Sequence, residues 1–385
     1  MQENPLWPVT TRFPRLEADL TVDVAIIGGG IAGISCGYYL DRAGYNVAVL
    51  EQDEVGSAAS GASSGILYYG TGTHLHEAVK LFGKDDAKML WKESEETIKQ
   101  IADLVRGERL QCGFRQPGAF MVAQTEEEKR ILDVELAALN SIGIPSEIVK
   151  SYELRKWFTP REFRYGLAFD ICAQIHPAIF CAELSKKFGV PVYENTRMES
   201  FSEDSDGVTV KTPTGTVSCG YLFVATNLQP FFGLEKYFRV ESSALIVSQP
   251  LGDAEMKKIW PNETMMWTLG EQYDIIYPRE GRNVLEVYRV RDIKSKLEKY
   301  YPGVEFVVET QWGDSWSKTD DWLPIIGKIH PRVYAAIAMG DQGVVMGFTA
   351  GRKATALLNG EQDDFLKLVS PSRFEVGADN QTSKL

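Results

Sequence analysis

Gly28-x-Gly30-x-x-Gly33 lies between a short apolar run, Val22 to Ile27, and an apolar-periodic stretch, Ile31 to Ala43; a second apolar run, Val47 to Leu50, follows. Apolar runs of four to six residues read as buried strands, and the 3.6-residue period between them reads as a helix, so the segment is a βαβ unit with parallel strands. The glycine spacing has a mechanical meaning there. The first glycine allows the tight turn, the second lets a pyrophosphate approach the backbone, and the third lets helix and strand pack closely. Phosphates then face the positive end of the helix. Glu51 closes the second strand, placed to accept from ribose hydroxyls, and its charge disfavours a 2′-phosphate. Few folds remain open to a chain that begins this way.

Two further segments select among dinucleotides. Gly56 to Gly65 (GSAASGASSG) contains only Gly, Ala and Ser, which lets backbone approach a bulky ligand and offers N–H and hydroxyl donors. Near the other end, Met339-Gly340-Asp341-Gln342-Gly343-Val344-Val345-Met346 reads as strand, loop and helix, with a helix N-terminus suited to the negative charge of a reduced flavin. A chain that brings both segments to one cofactor needs a long cofactor, which favours FAD.

The remaining pattern alternates. Helices are expected over Glu77 to Leu104, Glu126 to Ser141, Pro177 to Phe188 and Met346 to Leu358. Strands are expected over Gly118 to Val122, Val208 to Val210, Thr216 to Ser218, Tyr221 to Ala225, Ala244 to Val247, Asp274 to Tyr277, Val284 to Arg289 and Val333 to Ala338. Nucleotide-binding pieces fall at the start, middle and end, with β-rich material between them, so two interleaved domains are inferred. Their expected extents are 20–88, 145–228 and 318–373 for the nucleotide domain and 89–144 and 229–317 for the substrate domain, with 374–385 a polar tail.

At 385 residues, 44% hydrophobic and 24% charged, the chain has ordinary globular composition and can bury a large core. A formal net charge of −12 disfavours nucleic acid and anionic membranes as partners. The five cysteines, Cys36, Cys112, Cys172, Cys181 and Cys219, form no disulfide framework and read as reduced intracellular thiols. No Cys or His cluster has metal-ligand spacing, so no metal is expected. The N-terminus lacks the pattern of a secretory signal, and glycines interrupt the most apolar segment, so no membrane span is expected. Ser383-Lys384-Leu385 at the C-terminus reads as a peroxisomal address if the organism is eukaryotic, with an import receptor as partner; otherwise the expectation is cytoplasmic.

The chain resembles the FAD-dependent amino-acid and amine oxidase family that includes D-amino-acid oxidase, glycine oxidase, sarcosine oxidase and gamma-glutamylputrescine oxidase. The likeness spans roughly Val22 to Leu358. It rests on VDVAIIGGGIAGISCGYYL, LEQDEVGSAASGASSGIL, Gln174-x-His176-Pro177, GVPVYENTRM, Ala225-Thr226-Asn227, Thr319-x-Asp321-x-Leu323-Pro324-x-Ile326-Gly327 and the Gly340 to Met346 loop. Ala-Thr-Asn and Trp7 are similar to the gamma-glutamylputrescine oxidase-like branch. The resemblance implies an α/β two-domain fold, a Rossmann-like FAD-binding domain interleaved with an antiparallel-sheet substrate domain that covers the flavin. It implies FAD contacts at Gly28, Gly30, Ile31, Gly33, Glu51, Gln52, Ser60, Gly61, Ser63, Ser64, Gly65, Ile66, Met198, Ala225, Thr226, Gly340, Gln342, Gly343, Val344, Val345 and Met346, with Met198 meeting the adenine through its backbone.

Departures from the family pattern carry as much information. Ala62-Ser63 replace the usual Arg-Asn of the small-residue loop. Asp314 stands where the sarcosine oxidases attach flavin to a cysteine, so the FAD is expected to be non-covalent. Trp316 stands where members acting on α-amino acids often place an arginine for the carboxylate, which argues for a substrate lacking that group or holding it differently. An oxygen-activating lysine of the sarcosine branch would fall near Val284. On the strand Val284 to Arg289, alternation puts Glu286 and Tyr288 on one face, where a carboxylate beside a phenol would suit a cationic amine. Tyr288, Trp316 and Glu286 are therefore the candidate catalytic residues. Tyr277 and Trp267 are candidates for an aromatic wall, His74 and His76 for surface or capping roles, and His176 for a helix start. The function implied is oxidation of the C–N bond of a primary or secondary amine or amino acid to an imine, with O2 reduced to H2O2. The alternatives are a dehydrogenase of the same fold, passing electrons to a quinone or carrier, and an inactive nucleotide-binding regulatory protein.

Overall fold

A computed structural model describes residues 9–228, 233–270, 273–279, 284–288 and 293–374; for 284–288 and 293–294 it describes the backbone. Trp7, Glu280-Gly281-Arg282, Arg289 and Ser383-Lys384-Leu385 lie outside the described residues. The strand Leu20–Ile27 is polar where it begins and fully buried from Val24 to Ile27, as a strand covered on both faces requires. It pairs in parallel with Val47–Leu50 on one side and with Gly215–Asn227 on the other. The first sheet runs in the order Ile325–Lys328, Val333–Ile337, Gly215–Asn227, Leu20–Ile27, Val47–Leu50, Val192–Tyr193. Helix Ile31–Arg42 crosses between the two parallel strands, and helix Gly343–Arg352 packs against it through glycines: a β-carbon at Gly347 would stand 2.7 Å from the Ile31 side chain.

The second sheet runs Val308–Thr319, Phe238–Ser248, Val284–Tyr288, Ile275–Arg279, Met265–Thr268, Ala119–Ala123, Tyr165–Phe169, Ile148–Lys150. Its junctions are antiparallel except that of Met265–Thr268 with Ala119–Ala123, which is parallel. A separate aromatic core with Phe158, Phe163, Trp260, Tyr301 and Phe306 packs around this sheet. Strands Ile148–Lys150 and Tyr165–Phe169 hydrogen-bond into the second sheet, although a boundary at 145 places them in the nucleotide portion. The fold is the mixed α/β arrangement expected, with the flavin-type motif and the covering sheet on separate β-layers.

Several elements differ from their sequence reading. The helical stretch beginning near Glu77 is two helices, Leu75–Phe82 and Lys84–Glu108, because Gly83 takes φ +84° and turns the chain between them. Thr216 to Ser218 and Tyr221 to Ala225 are one strand, Gly215–Asn227, whose first half pairs antiparallel with Val208–Thr212 while its later part pairs in parallel with Val333–Ile337. The last long helix begins at Gly343 rather than Met346, and a second helix, Ala354–Asn359, completes the stretch. Helix Glu126–Ser141 has the expected bounds and is fixed by a reciprocal capping box between Thr125 and Glu128.

Candidate active site

The glycine motif folds as its spacing requires. Gly28 sits at φ +109°, and a β-carbon there would lie 2.5 Å from the Ala225 carbonyl; at Gly33 it would lie 1.9 Å from the Gly28 carbonyl. Strand, turn and helix therefore close on one another only with glycine at both positions. At the helix N-terminus the Ile31 amide donates to Ser60 Oγ at 3.1 Å, which brings the small-residue loop onto the phosphate end of the motif. Glu51, 8% exposed, accepts from the Gly29 amide through Oε2 at 2.6 Å and from the Asp53 amide through Oε1 at 2.9 Å. Burial raises its pKa and the backbone amides oppose that rise. A carboxylate offers about four acceptor positions, so two amides fix its orientation and leave capacity for ribose hydroxyls.

These elements enclose a cavity of about 580 Å³. It is lined by the glycine turn, Glu51 to Glu54, the small-residue loop, Thr196 to Met198, Ala225 to Leu228 and the Met339 to Val344 segment. Two polar groups beside it are buried without a hydrogen-bond partner among the described residues: Thr226 Oγ1, and the side-chain amide of Gln342 at the start of helix Gly343–Arg352. Orphaned polar atoms beside a glycine cradle fit a large polar ligand such as FAD.

A second cavity, of about 1140 Å³, adjoins the first. Ile66, Tyr68, Ile275 and Trp316 line both and form the boundary. Its walls are aromatic: Trp267 lies against Tyr68 (centroids 5.8 Å) and Phe169 (5.1 Å), and Trp316 stacks on Trp322 at 6.4 Å. Trp322 is held at φ +60°, a conformation that costs a non-glycine residue roughly 1–3 kcal/mol and concentrates at functional sites. Asp341, on the first cavity's wall, accepts through Oδ2 from the hydroxyls of Tyr68 at 2.8 Å and Tyr273 at 2.6 Å. Farther along, buried Glu135 accepts from the Leu75 and His76 amides and pairs with His76 Nδ1 at 2.7 Å; the rings of His74 and His76 stack at 5.6 Å.

The family profile DAO, "FAD dependent oxidoreductase", matches residues 23–357. The chain belongs to this family. It is 24% identical over 373 residues to gamma-glutamylputrescine oxidoreductase of Escherichia coli K12, spanning 92% of this chain and 87% of that one. Among solved structures it is similar to glycine oxidase from Geobacillus kaustophilus (TM-score 0.73, 19% identity, 91% and 98% of the two chains) and to L-amino acid deaminase from Proteus myxofaciens in complex with anthranilate (TM-score 0.77, 14% identity, 95% and 96%). The fold is the one those proteins share, and the protein is an FAD-dependent oxidoreductase.

In this FAD-dependent oxidoreductase, Gly28, Gly30, Ile31, Glu51, Gln52, Ser60, Ser63, Ser64, Ile66, Met198, Ala225, Thr226, Gly340, Gly343 and Val344 all line the first cavity. Gly33, Gly61, Gly65, Gln342, Val345 and Met346 stand behind its wall. For the three glycines the reason is internal packing. A β-carbon would meet the Gly28 carbonyl at Gly33, the Gly56 carbonyl at 2.7 Å at Gly61, and the Ile175 carbonyl at 1.9 Å at Gly65. Val345 and Met346 are fully buried in the helix that packs on Ile31–Arg42.

Trp316 is 9% exposed and lines both cavities, its indole Nε1 3.3 Å from Ser243 Oγ. For Glu286 and Tyr288 only the backbone is described: Glu286 is in register with Tyr277 and Val247, and Tyr288 with Ile275 and Leu245. Trp267 walls the second cavity as expected, whereas Tyr277 is fully buried and donates to the Ser64 carbonyl. His74 and His76 line the second cavity and are absent from the described lining of the first. His176 caps helix Pro177–Ser185, its Nδ1 accepting from the Ile179 amide at 3.1 Å. Asp314 lines the first cavity, and none of the five cysteines, all buried, is among the described residues lining either.

Sequence reasoning missed Asp341, Tyr68 and Tyr273 as a group. They lie 68 to 273 residues apart, and the one available signal was a carboxylate inside the glycine-bounded loop Gly340 to Gly343. Among the described residues no cluster of His, Cys, Asp and Glu could hold a metal ion, and no helix is long and apolar enough to cross a membrane.

Proposed function

We propose that this enzyme oxidises the C–N bond of a primary or secondary amine to an imine, with O2 as acceptor and H2O2 as product. The observation that carries the reading is the second cavity: it meets the dinucleotide cavity across Tyr68, Ile275 and Trp316, and its walls are aromatic. Trp316 at that boundary, where the family resemblance places an arginine in members acting on α-amino acids, favours an amine without an α-carboxylate.

FAD in the first cavity supplies the hydride acceptor and the route to oxygen. The chain's residues hold, orient and dry the site. Glu51 would hold a ribose and the Ile31 helix N-terminus the pyrophosphate, and the Gly340 to Val344 segment lines the same cavity. Trp316, Tyr68 and Ile275 exclude water where substrate and cofactor meet, which strengthens every electrostatic interaction there. The gamma-glutamylputrescine oxidoreductase likeness supports an amine as the reacting group. The absence of cysteine from the described cavity lining supports FAD held without a thioether.

Anaerobic mixing of the purified yellow enzyme with a panel of alkyl and aryl amines tests the reading. Bleaching of the flavin by an amine, followed on aeration by peroxide equimolar with aldehyde or ketone, is expected. Bleaching without peroxide would make the enzyme a dehydrogenase, and failure of every amine to bleach it would overturn the reading.

A further inference from the structure

Asp341 lines the first cavity, and its carboxylate accepts from two phenols that line the second. We propose that Asp341, with Tyr68 and Tyr273, forms the subsite that binds the positively charged nitrogen of an organic ammonium ligand, and so restricts the enzyme to cationic amines.

Tyr68 comes from the segment after the small-residue loop, Tyr273 from just before strand Ile275–Arg279, and Asp341 from the loop before helix Gly343–Arg352. Three distant segments thus converge on one carboxylate oxygen at 2.8 and 2.6 Å. That convergence holds the carboxylate in a single orientation, as a binding group needs. Asp341 also packs where only a glycine fits: Gly72 is at φ +105°, and a β-carbon there would stand 3.0 Å from Asp341 Cβ and 3.2 Å from the Trp322 ring. Asp341 Cβ and the indole of Trp322, which stacks on Trp316 at the cavity boundary, thus both pack against Gly72.

A carboxylate edged by aromatic faces is the chemistry that selects an organic cation. The ring quadrupoles attract positive charge over their faces, and the attraction grows as water is excluded. Tyr68, Trp267, Tyr273 and Trp316 supply aromatic rings to the second cavity, while the Trp322 ring carries Lys318 Nζ at 3.5 Å. The inference rests on the reading of the site as an amine chamber, and it adds which residue recognises the nitrogen.

The test uses the FAD-loaded enzyme and two ligands that cannot be oxidised at a C–N bond to an imine: benzyltrimethylammonium, and neopentylbenzene as its neutral isostere. Binding is read by the flavin difference spectrum and by calorimetry. The wild-type enzyme is expected to prefer the cation at least tenfold; Asp341→Asn should abolish the preference, and Asp341→Glu should keep part of it. Equal affinity for the two ligands in the wild-type enzyme overturns the proposal without any variant, and so does an Asp341→Asn enzyme that retains FAD and the full cation preference. If Asp341→Asn does not retain FAD, the wild-type comparison and Asp341→Glu decide. Cation selectivity in an enzyme that no amine bleaches would keep this subsite and sink the amine-oxidation reading. Amine turnover without cation selectivity would do the reverse.

Discussion

The hydroxyl of Tyr277 donates to the backbone carbonyl of Ser64 at 3.0 Å, so a strand of the covering sheet holds the small-residue loop that lines the dinucleotide cavity. Arg279, two residues along the same strand, donates to the same carbonyl, and Trp312 Nε1 donates to Ala62 O at 3.0 Å. The loop's side chains are too small to anchor it, so the anchoring comes from the sheet above. Trp312→Phe leaves the buried Ala62 carbonyl without that donor and should cost about 1–3 kcal/mol of stability. Tyr277→Phe should cost about 1 kcal/mol or less, because Arg279 remains on Ser64. Both should weaken FAD binding several-fold in reconstitution titrations; unchanged FAD affinity in both would show that the loop does not depend on the sheet.

Gly33→Ala should cost more than either. Its β-carbon would stand 1.9 Å from the Gly28 carbonyl, where the neighbour is backbone and cannot rotate away. Opening the turn should lower the melting temperature and release the flavin together, with overpacking worth about 1–3 kcal/mol or more. Co-purification of full flavin with an unchanged melting temperature would contradict the close approach.

His176 supplies the pH prediction. Burial first, and the Arg279 charge second, lower its pKa from the ordinary 6.5 to about 3, so it stays neutral in the folded protein and its Nδ1 accepts from the Ile179 amide. In the unfolded chain it takes up a proton near pH 6.5. Between those values the unfolded state binds more protons, so stability falls as pH drops from about 6.5 towards 3, by up to about 1.4 kcal/mol per pH unit from this group. Asn is a strong N-cap residue that does not titrate, and His176→Asn should flatten the dependence in denaturant titrations at pH 7, 6 and 5. An equally steep profile in the variant would assign the acid sensitivity elsewhere.

Acid precipitation should leave all flavin in the supernatant, because no cysteine is among the described residues lining the cavity and Asp314 occupies the position at which the sarcosine oxidases attach theirs. Flavin absorbance in the washed pellet would show a covalent bond through another side chain.

Trp316→Phe keeps an aromatic ring but removes the indole N–H near Ser243 Oγ and part of the stack on Trp322. Because Trp316 lines the boundary of the two cavities, the change should raise KM and lower kcat together, by about tenfold in kcat/KM if about 1.4 kcal/mol of transition-state binding is lost. An effect on FAD affinity alone would place its role on the cofactor side.

Local physics made part of this protein legible from its sequence. The glycine turn, the strands Leu20–Ile27 and Val47–Leu50, helix Glu126–Ser141 and the His176-Pro177 helix start are set by residues within a few positions of one another, through hydrophobic period, φ freedom and caps. Glu51 was accessible for the same reason; most of the other expected contacts that line the cavity, and the position of Trp316, were implied instead by the family resemblance that several such motifs in order along the chain carry.

Tertiary structure decided the rest. Local sequence could not show that Gly215–Asn227 is one strand serving three partners, because beyond its hairpin with Val208–Thr212 it pairs with Leu20–Ile27 and Val333–Ile337, both distant in the chain. Nor could it show that Gly61 and Gly65 are glycine to admit backbone carbonyls rather than flavin, since only assembled neighbours reveal a close approach. The Tyr68–Asp341–Tyr273 cluster is of the same kind: hydrogen bonds between residues up to 273 positions apart leave no periodic or spacing signal, and exist only once both sheets have closed on one cavity.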